Sequence, residues 1–178
     1  MDYNNLKART KHLNFNHIYK GRPTMSKKAI AVFSNTNTTF NQATVLGEIL
    51  QVPVYRIKAA VPYTEADLNW HDDQSRANRE QNDSSTPQPA LADTAFNTDF
   101  DVLYLGYPIW WSKAPRIIDQ FLTTYDFTGK VVIPFATSGS SAIDQSVREL
   151  QQHHPDITIE TGKRVNNLSR QALTEWVQ

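Results

Sequence analysis

The chain contains no cysteine. That excludes disulfides, thiolate metal centres, iron–sulfur clusters and a thiol nucleophile, and it accords with a reducing compartment. Long apolar runs are missing too: none approaches the roughly 20 residues that a membrane-crossing helix needs. A soluble, cytoplasmic protein is expected, without membrane contact. Net charge is likewise absent, with 18 basic and 18 acidic side chains among 178 residues. Neither GxxxxGK[ST] nor GxGxxG occurs, which argues against a triphosphate loop and a dinucleotide-binding turn. No GxSxG elbow marks a serine hydrolase, and no repeat of 20–50 residues is visible.

The neutral total hides an asymmetry. Residues 1–25 carry Lys7, Arg9, Lys11, Lys20 and Arg22 against Asp2 alone, so the rest of the chain holds the balancing excess of acid. The leading segment is Asn-rich and aperiodic, which predicts a mobile basic arm ahead of one domain at 26–178. Met25 is a candidate natural start. Five scattered cations without an aromatic platform do not make a nucleic-acid surface, and no nucleic-acid partner is expected.

Strand and helix patterns alternate through the domain. Ala29–Phe33 is an apolar strand run, followed by a helical pattern from Phe40 to Leu50. Pro53–Ile57 alternates apolar and polar residues as a half-exposed edge strand would. A polar surface helix is expected over 64–82, ended by Ser84-Ser85-Thr86-Pro87. Val102–Gly106 reads as a strand buried on both faces, and Ala114–Thr124 carries a helical apolar stripe. Val131–Ala136 is a fourth strand, although Pro134 removes a ladder donor there. A helix over 142–153, a fifth strand over 157–160 and a closing helix from Ser169 complete the series. Such alternation predicts an α/β fold: a parallel sheet covered by helices on both faces.

Ligands of open parallel sheets bind beyond the carboxyl ends of the strands. Three loops there have unusual chemistry. After strand one comes Ser34-Asn35-Thr36-Asn37-Thr38-Thr39, a hydroxyl-rich run that opens a helix; helix-start N–H groups and the dipole suit a phosphate dianion. After strand three comes Tyr107-Pro108-Ile109-Trp110-Trp111, a flat apolar wall. After strand four comes Thr137-Ser138-Gly139-Ser140, a small polar set of donors. A flat aromatic ligand with polar edges and a terminal phosphate needs that combination.

The Gly106–Trp111 run GYPIWW followed by Ala114-Pro115, with Tyr125–Lys130 before strand four and Thr137-Ser138-Gly139 after it, resembles the flavodoxin-like family, in particular its short flavodoxins. The likeness covers roughly residues 28–170. It implies a flavodoxin-like doubly wound five-stranded parallel sheet of order 2-1-3-4-5 and a non-covalent FMN cofactor. The family's S-x-T-G-N-T phosphate loop matches Ser34–Thr39, with Asn37 in place of Gly and Thr38 in place of Asn. Asn tolerates left-handed backbone better than most residues, so Asn37 can keep the turn. By the same resemblance Pro108, Ile109, Trp110 and Trp111 line the isoalloxazine, and Thr137, Ser138, Gly139 and Ser140 form the third flavin-contacting loop. Which of the two tryptophans stacks is open, since one can cover the flavin while the other plugs the core.

No catalytic side chain is implied. The expected role is electron transfer by an FMN-binding redox protein, with an FMN-dependent NAD(P)H or quinone reductase as the alternative and a redox protein or a quinone-like molecule as partner. A monomer or homodimer is expected. The absence of Gly from Tyr107 to Arg116 disfavours the backbone flip that supports one-electron reduction, and so favours two-electron chemistry. Lys113 is read as a solvated cation, His153-His154 as a structural helix end, and His71 as no metal ligand.

Overall fold

In the computed structural model, residues 26–178 are described; the basic segment 1–25 lies outside them. The strands are β1 (Lys28–Phe33), β2 (Val54–Ile57), β3 (Val102–Pro108), β4 (Val131–Thr137), β5 (Thr158–Ile159) and β6 (Lys163–Arg164). The helices are α1 (Thr38–Leu50), α2 (Arg76–Asn82), α3 (Arg116–Thr124), α4 (Asp144–His153) and α5 (Arg170–Val177). Every strand pairing is parallel and the order is β2-β1-β3-β4-β5, with β6 also on β4. This is the doubly wound order expected from the sequence, with β2 at one edge.

Both sheet faces are buried because β1 and β3 present apolar side chains on each side. Ala31, Phe33, Leu103 and Leu105 point to one core, which α3 and α4 complete with Ile117, Ile118, Phe121, Val147 and Leu150. Ile30, Val32 and Tyr104 point to the other, filled by Ala43 and Leu46 of α1 and Leu173 of α5. Gly106 gives its sheet neighbour room: a Cβ there would lie 2.4 Å from Cζ of Phe135, its partner across the β3–β4 pairing. Among the described residues, no helix is long and apolar enough to cross a membrane.

Two elements depart from the sequence expectation. The helix expected over 64–82 is a 3-10 turn at Ala66–Leu68 and then α2 at 76–82 only. Between them Asn69 Oδ1 accepts from the His71 N–H and Asp72 Oδ1 from the Gln74 N–H, local bonds that compete with helical ones. The fifth strand, expected over 157–160, is β5 at 158–159 only, and a further two-residue strand, β6, follows at 163–164. The gap between them faces Pro134. The Val132 and Ala136 carbonyls accept from Glu160 and Val165 on that side of β4, so Pro134 between them faces the same way and has no N–H to offer. Gly162 fits the gap, for a Cβ there would be 2.8 Å from the Pro134 carbonyl oxygen.

Candidate functional site

The ends of β1, β3 and β4 meet at one rim, and Thr137 ties them together. Its carbonyl accepts from the Ile109 N–H at 2.8 Å, and its hydroxyl bonds that of Thr39 at 2.8 Å. Thr137 opens the third loop, Ile109 belongs to the second and Thr39 closes the first. The convergence predicted from three separated runs is therefore a hydrogen-bonded fact of the fold.

In the first loop Asn37 is the N-cap of α1 at φ 62°, the left-handed geometry expected for the residue that stands in place of Gly. Asn35, Thr36, Asn37 and Thr38 are exposed and Ser34 is half-buried. The Thr36 and Thr38 hydroxyls lie 3.1 Å apart. Thr39 differs: it is fully buried, and its hydroxyl is engaged by Thr137 rather than presented at the loop surface. Arg56, at the end of β2, donates to Asn37 Oδ1 and lays its guanidinium 3.8 Å over the Phe40 ring. A loop read as a set of neutral donors thus has a cation at its flank.

The second loop divides its two tryptophans. Trp110 packs edge to face on Phe33 at 5.7 Å and on Tyr63 at 5.5 Å, anchoring the loop to the core. Trp111 and Ser112 follow at φ 48° and 64°, while Trp110 and Lys113 exchange backbone hydrogen bonds of 3.0 and 2.9 Å. Positive φ at both central residues is the pattern of a type I′ turn, which ordinarily takes Asn-Gly. Gln81 holds this turn from α2. Its amide donates to the Trp110 and Ala114 carbonyls, and its carbonyl oxygen accepts from the Arg116 N–H that starts α3. Lys113 is not the free cation expected; it pairs with Glu149 of α4 at 3.0 Å.

The third loop is held from behind by residues the sequence reading did not single out. Asn166 accepts from the Ser138 N–H at 3.0 Å and donates to the Ser138 carbonyl at 2.8 Å. Arg164 donates to the carbonyls of Ser138 and Gly139. Ser138 Oγ donates to the Ser141 carbonyl, and Ser141 Oγ lies 3.4 Å from that of Ser112 in the second loop. Gly139 and Ser140 are exposed.

Between the first and second loops lies a cavity of about 400 Å³. Asn35 and Thr36 line one part, Pro108, Ile109, Trp110 and Trp111 another. Leu68, Trp70 and Ala77 form a wall from the connection between β2 and β3, which periodicity alone had made an ordinary surface helix. That connection is fixed by a buried network: Arg76 Nε lies 2.7 Å from Glu80, and the Tyr63 hydroxyl donates to the other Glu80 oxygen at 2.5 Å. Burial and then the Glu80 carboxylate raise the Tyr63 hydroxyl well above its ordinary pKa. The cavity size falls in the range of small-molecule sites, about 300–1,000 Å³. Its chemistry fits a phosphorylated flat ligand: exposed hydroxyls and a helix start beside a cation, then an apolar aromatic floor.

The other titratable clusters are structural. His153 Nδ1 and His154 Nε2 both bond Asp119 Oδ1, at 3.0 and 2.9 Å, and so join the end of α4 to α3. Among the described residues, no group of three or more His, Asp or Glu is placed to hold a metal, His71 included.

Comparison with known proteins gives the same outline. A solved structure of a proposed flavoprotein from Bacteroides uniformis is 43% identical, covering 85% of this chain and 97% of its own, with a TM-score of 0.81. A second proposed flavoprotein, from Bacteroides eggerthii, is 39% identical over 85% of this chain and 96% of its own, with a TM-score of 0.79. A flavoprotein from Lactobacillus acidophilus, solved in complex with FMN, shares the fold at 17% identity over 86% of this chain and 99% of its own, with a TM-score of 0.62. Among curated proteins none matches. The sequence profile described as flavodoxin matches residues 27–178, and the chain belongs to the flavodoxin family.

Proposed function

We propose that the protein binds FMN non-covalently at the three-loop rim and serves as a redox protein through it. The observation that carries this reading is the junction at Thr137, which sets a hydroxyl-rich helix start and an indole-lined wall around one cavity. Bound there, FMN supplies the capacity to accept and release electrons. The polypeptide does the rest. Thr36, Thr38 and the N–H groups at the start of α1 would hold the phosphate, with Arg56 adding positive potential. Trp111 and Pro108 would bound the ring, while Trp110 and Gln81 keep the loop in place. Backbone groups of Ser138 to Ser140 would meet polar edges of the ligand.

A second reading, an FMN-dependent NAD(P)H or quinone reductase, is favoured by the wall of Leu68, Trp70 and Ala77. A carrier that exchanges electrons through an exposed ring edge needs no such wall; a reductase needs a pocket for a flat small molecule. Titrating the apoprotein with FMN and riboflavin, with tryptophan emission as the signal, tests the cofactor. Quenching with tighter binding of FMN than of riboflavin is expected, and unchanged emission would overturn the proposal. Oxidation of NAD(P)H on addition of a quinone then separates the reductase from the carrier.

A further inference from the structure

Trp70 combines two properties that rarely occur together. It is 66% exposed, and the backbone that carries it is firmly held on both sides. On the N-terminal side, Asp67 Oδ2 accepts from the Thr64 N–H at 2.8 Å and from its hydroxyl at 2.9 Å. On the C-terminal side, Ser75 caps α2 and Arg76 reaches back to the Val61 carbonyl at 2.8 Å while its guanidinium covers Tyr63 at 3.9 Å. The His71 ring lies 3.5 Å from the indole, tilted by 34°, and so occupies one side of it. Trp70 nonetheless lines the cavity together with Trp111. A large apolar side chain left uncovered on a fixed scaffold marks a contact made by something else.

The third loop sharpens the point. Thr137, Ser138, Gly139, Ser140 and Ser141 offer a flat ligand no aromatic surface. None of the five lines the cavity, so any further aromatic plane for a ring resting on the wall at Trp111 must come from another element. Among the described residues that line the cavity, Trp70 of the β2–β3 connection offers such a plane.

We infer that Trp70 is a ring-stacking residue of the flavin site, supplied by the β2–β3 connection. The inference rests on the FMN reading and extends it. Stacking acts on the ring and not on the phosphate, so its loss must weaken FMN and riboflavin by the same factor. The aromatic plane, rather than the indole N–H, is what counts.

The test is titration of wild type, Trp70→Ala and Trp70→Phe with both flavins, followed by ligand absorbance and tryptophan emission. Trp70→Ala should weaken both flavins about ten-fold and Trp70→Phe less than about three-fold. Because Trp70 is exposed, all three apoproteins should melt together. Trp70→Phe should also lose part of the flavin-induced quenching of tryptophan emission. Wild-type affinity in Trp70→Ala, or a loss confined to FMN, would overturn the inference while leaving the flavin site intact. Unchanged flavin binding with a raised quinone KM would overturn it as well and assign Trp70 to the substrate. Failure of wild type to bind either flavin would instead remove the reading on which it rests.

Discussion

Replacing Thr137 by Val is the sharpest perturbation of the rim. The Thr39 hydroxyl is fully buried and its bond to Thr137 Oγ1, at 2.8 Å, is the hydrogen bond it makes. Valine keeps the shape of threonine but strands that hydroxyl in an apolar setting. An unpaired buried hydroxyl costs about 1–3 kcal/mol. For a domain of this size a loss of about 2 kcal/mol lowers the melting temperature by roughly 4–8 °C. Thr39→Val should behave alike, since Thr137 is only 4% exposed. The double variant removes both hydroxyls together and leaves nothing stranded, so it should cost less than the two single changes added, with a coupling of about 1–2 kcal/mol. Urea unfolding at constant m-value measures all four proteins. Strict additivity, or a Thr137→Val protein that melts with wild type, would refute the claim that this pair fastens the first loop to the third.

Thr36→Val removes an exposed donor and not a structural tie, so it should weaken FMN about five-fold, spare riboflavin and leave the melting temperature unchanged. Arg56→Met should cost FMN about two- to five-fold at low salt and progressively less as salt is added, as measured by titration at several ionic strengths. Ser112→Gly, at a residue with φ 64°, should stabilise the fold by about 0.5–1 kcal/mol, read from urea unfolding. At alkaline pH, Tyr63 and Tyr107 hold their protons longer when folded than unfolded, chiefly because burial disfavours the phenolate. Their contribution is therefore complete below about pH 10 and declines above it, by up to about 1.4 kcal/mol per pH unit for each; melting curves should show Tyr107→Phe losing less stability than wild type over that range.

The parts of the molecule legible in the sequence are those in which neighbours along the chain decide the outcome. A run such as Val102–Gly106 is a central strand because every residue is apolar, and Ser34–Thr39 is a helix-opening loop because hydroxyls precede a periodic pattern. The reading failed where side-chain bonds compete with the periodicity or where distant residues decide. Ala66, Leu68, Trp70 and Ala77 have helical spacing, yet Asn69 and Asp72 turn the backbone on themselves and Trp70 ends at the cavity. Arg56 looked like the polar half of an edge strand, but β2 lies beside β1 in register, which brings its end to Asn37. Arg164 and Asn166 lie more than 20 residues from the loop they brace. The awkwardness of Pro134 was visible; that it would part β5 from β6 depended on which neighbour its missing N–H faced.

Backbone strain follows the same division. Asn37, Trp111 and Ser112 take positive φ without being glycine, and all three lie at the rim. Each such residue costs on the order of 1 kcal/mol, and it persists only where the surroundings over-determine it. At Asn37 the surroundings are Arg56, itself steadied on Phe40. At Trp111 and Ser112 they are the Trp110–Lys113 backbone pair, the Lys113 bridge to Glu149 and the Gln81 amide. None of these supports belongs to the loop it holds, apart from the pair that closes the turn. The rim therefore keeps its shape through contacts made elsewhere in the fold, and a ligand arriving there meets loops already set rather than segments it must order. That arrangement favours affinity through preorganisation, and it places the residues most worth altering one layer behind those that would touch the flavin.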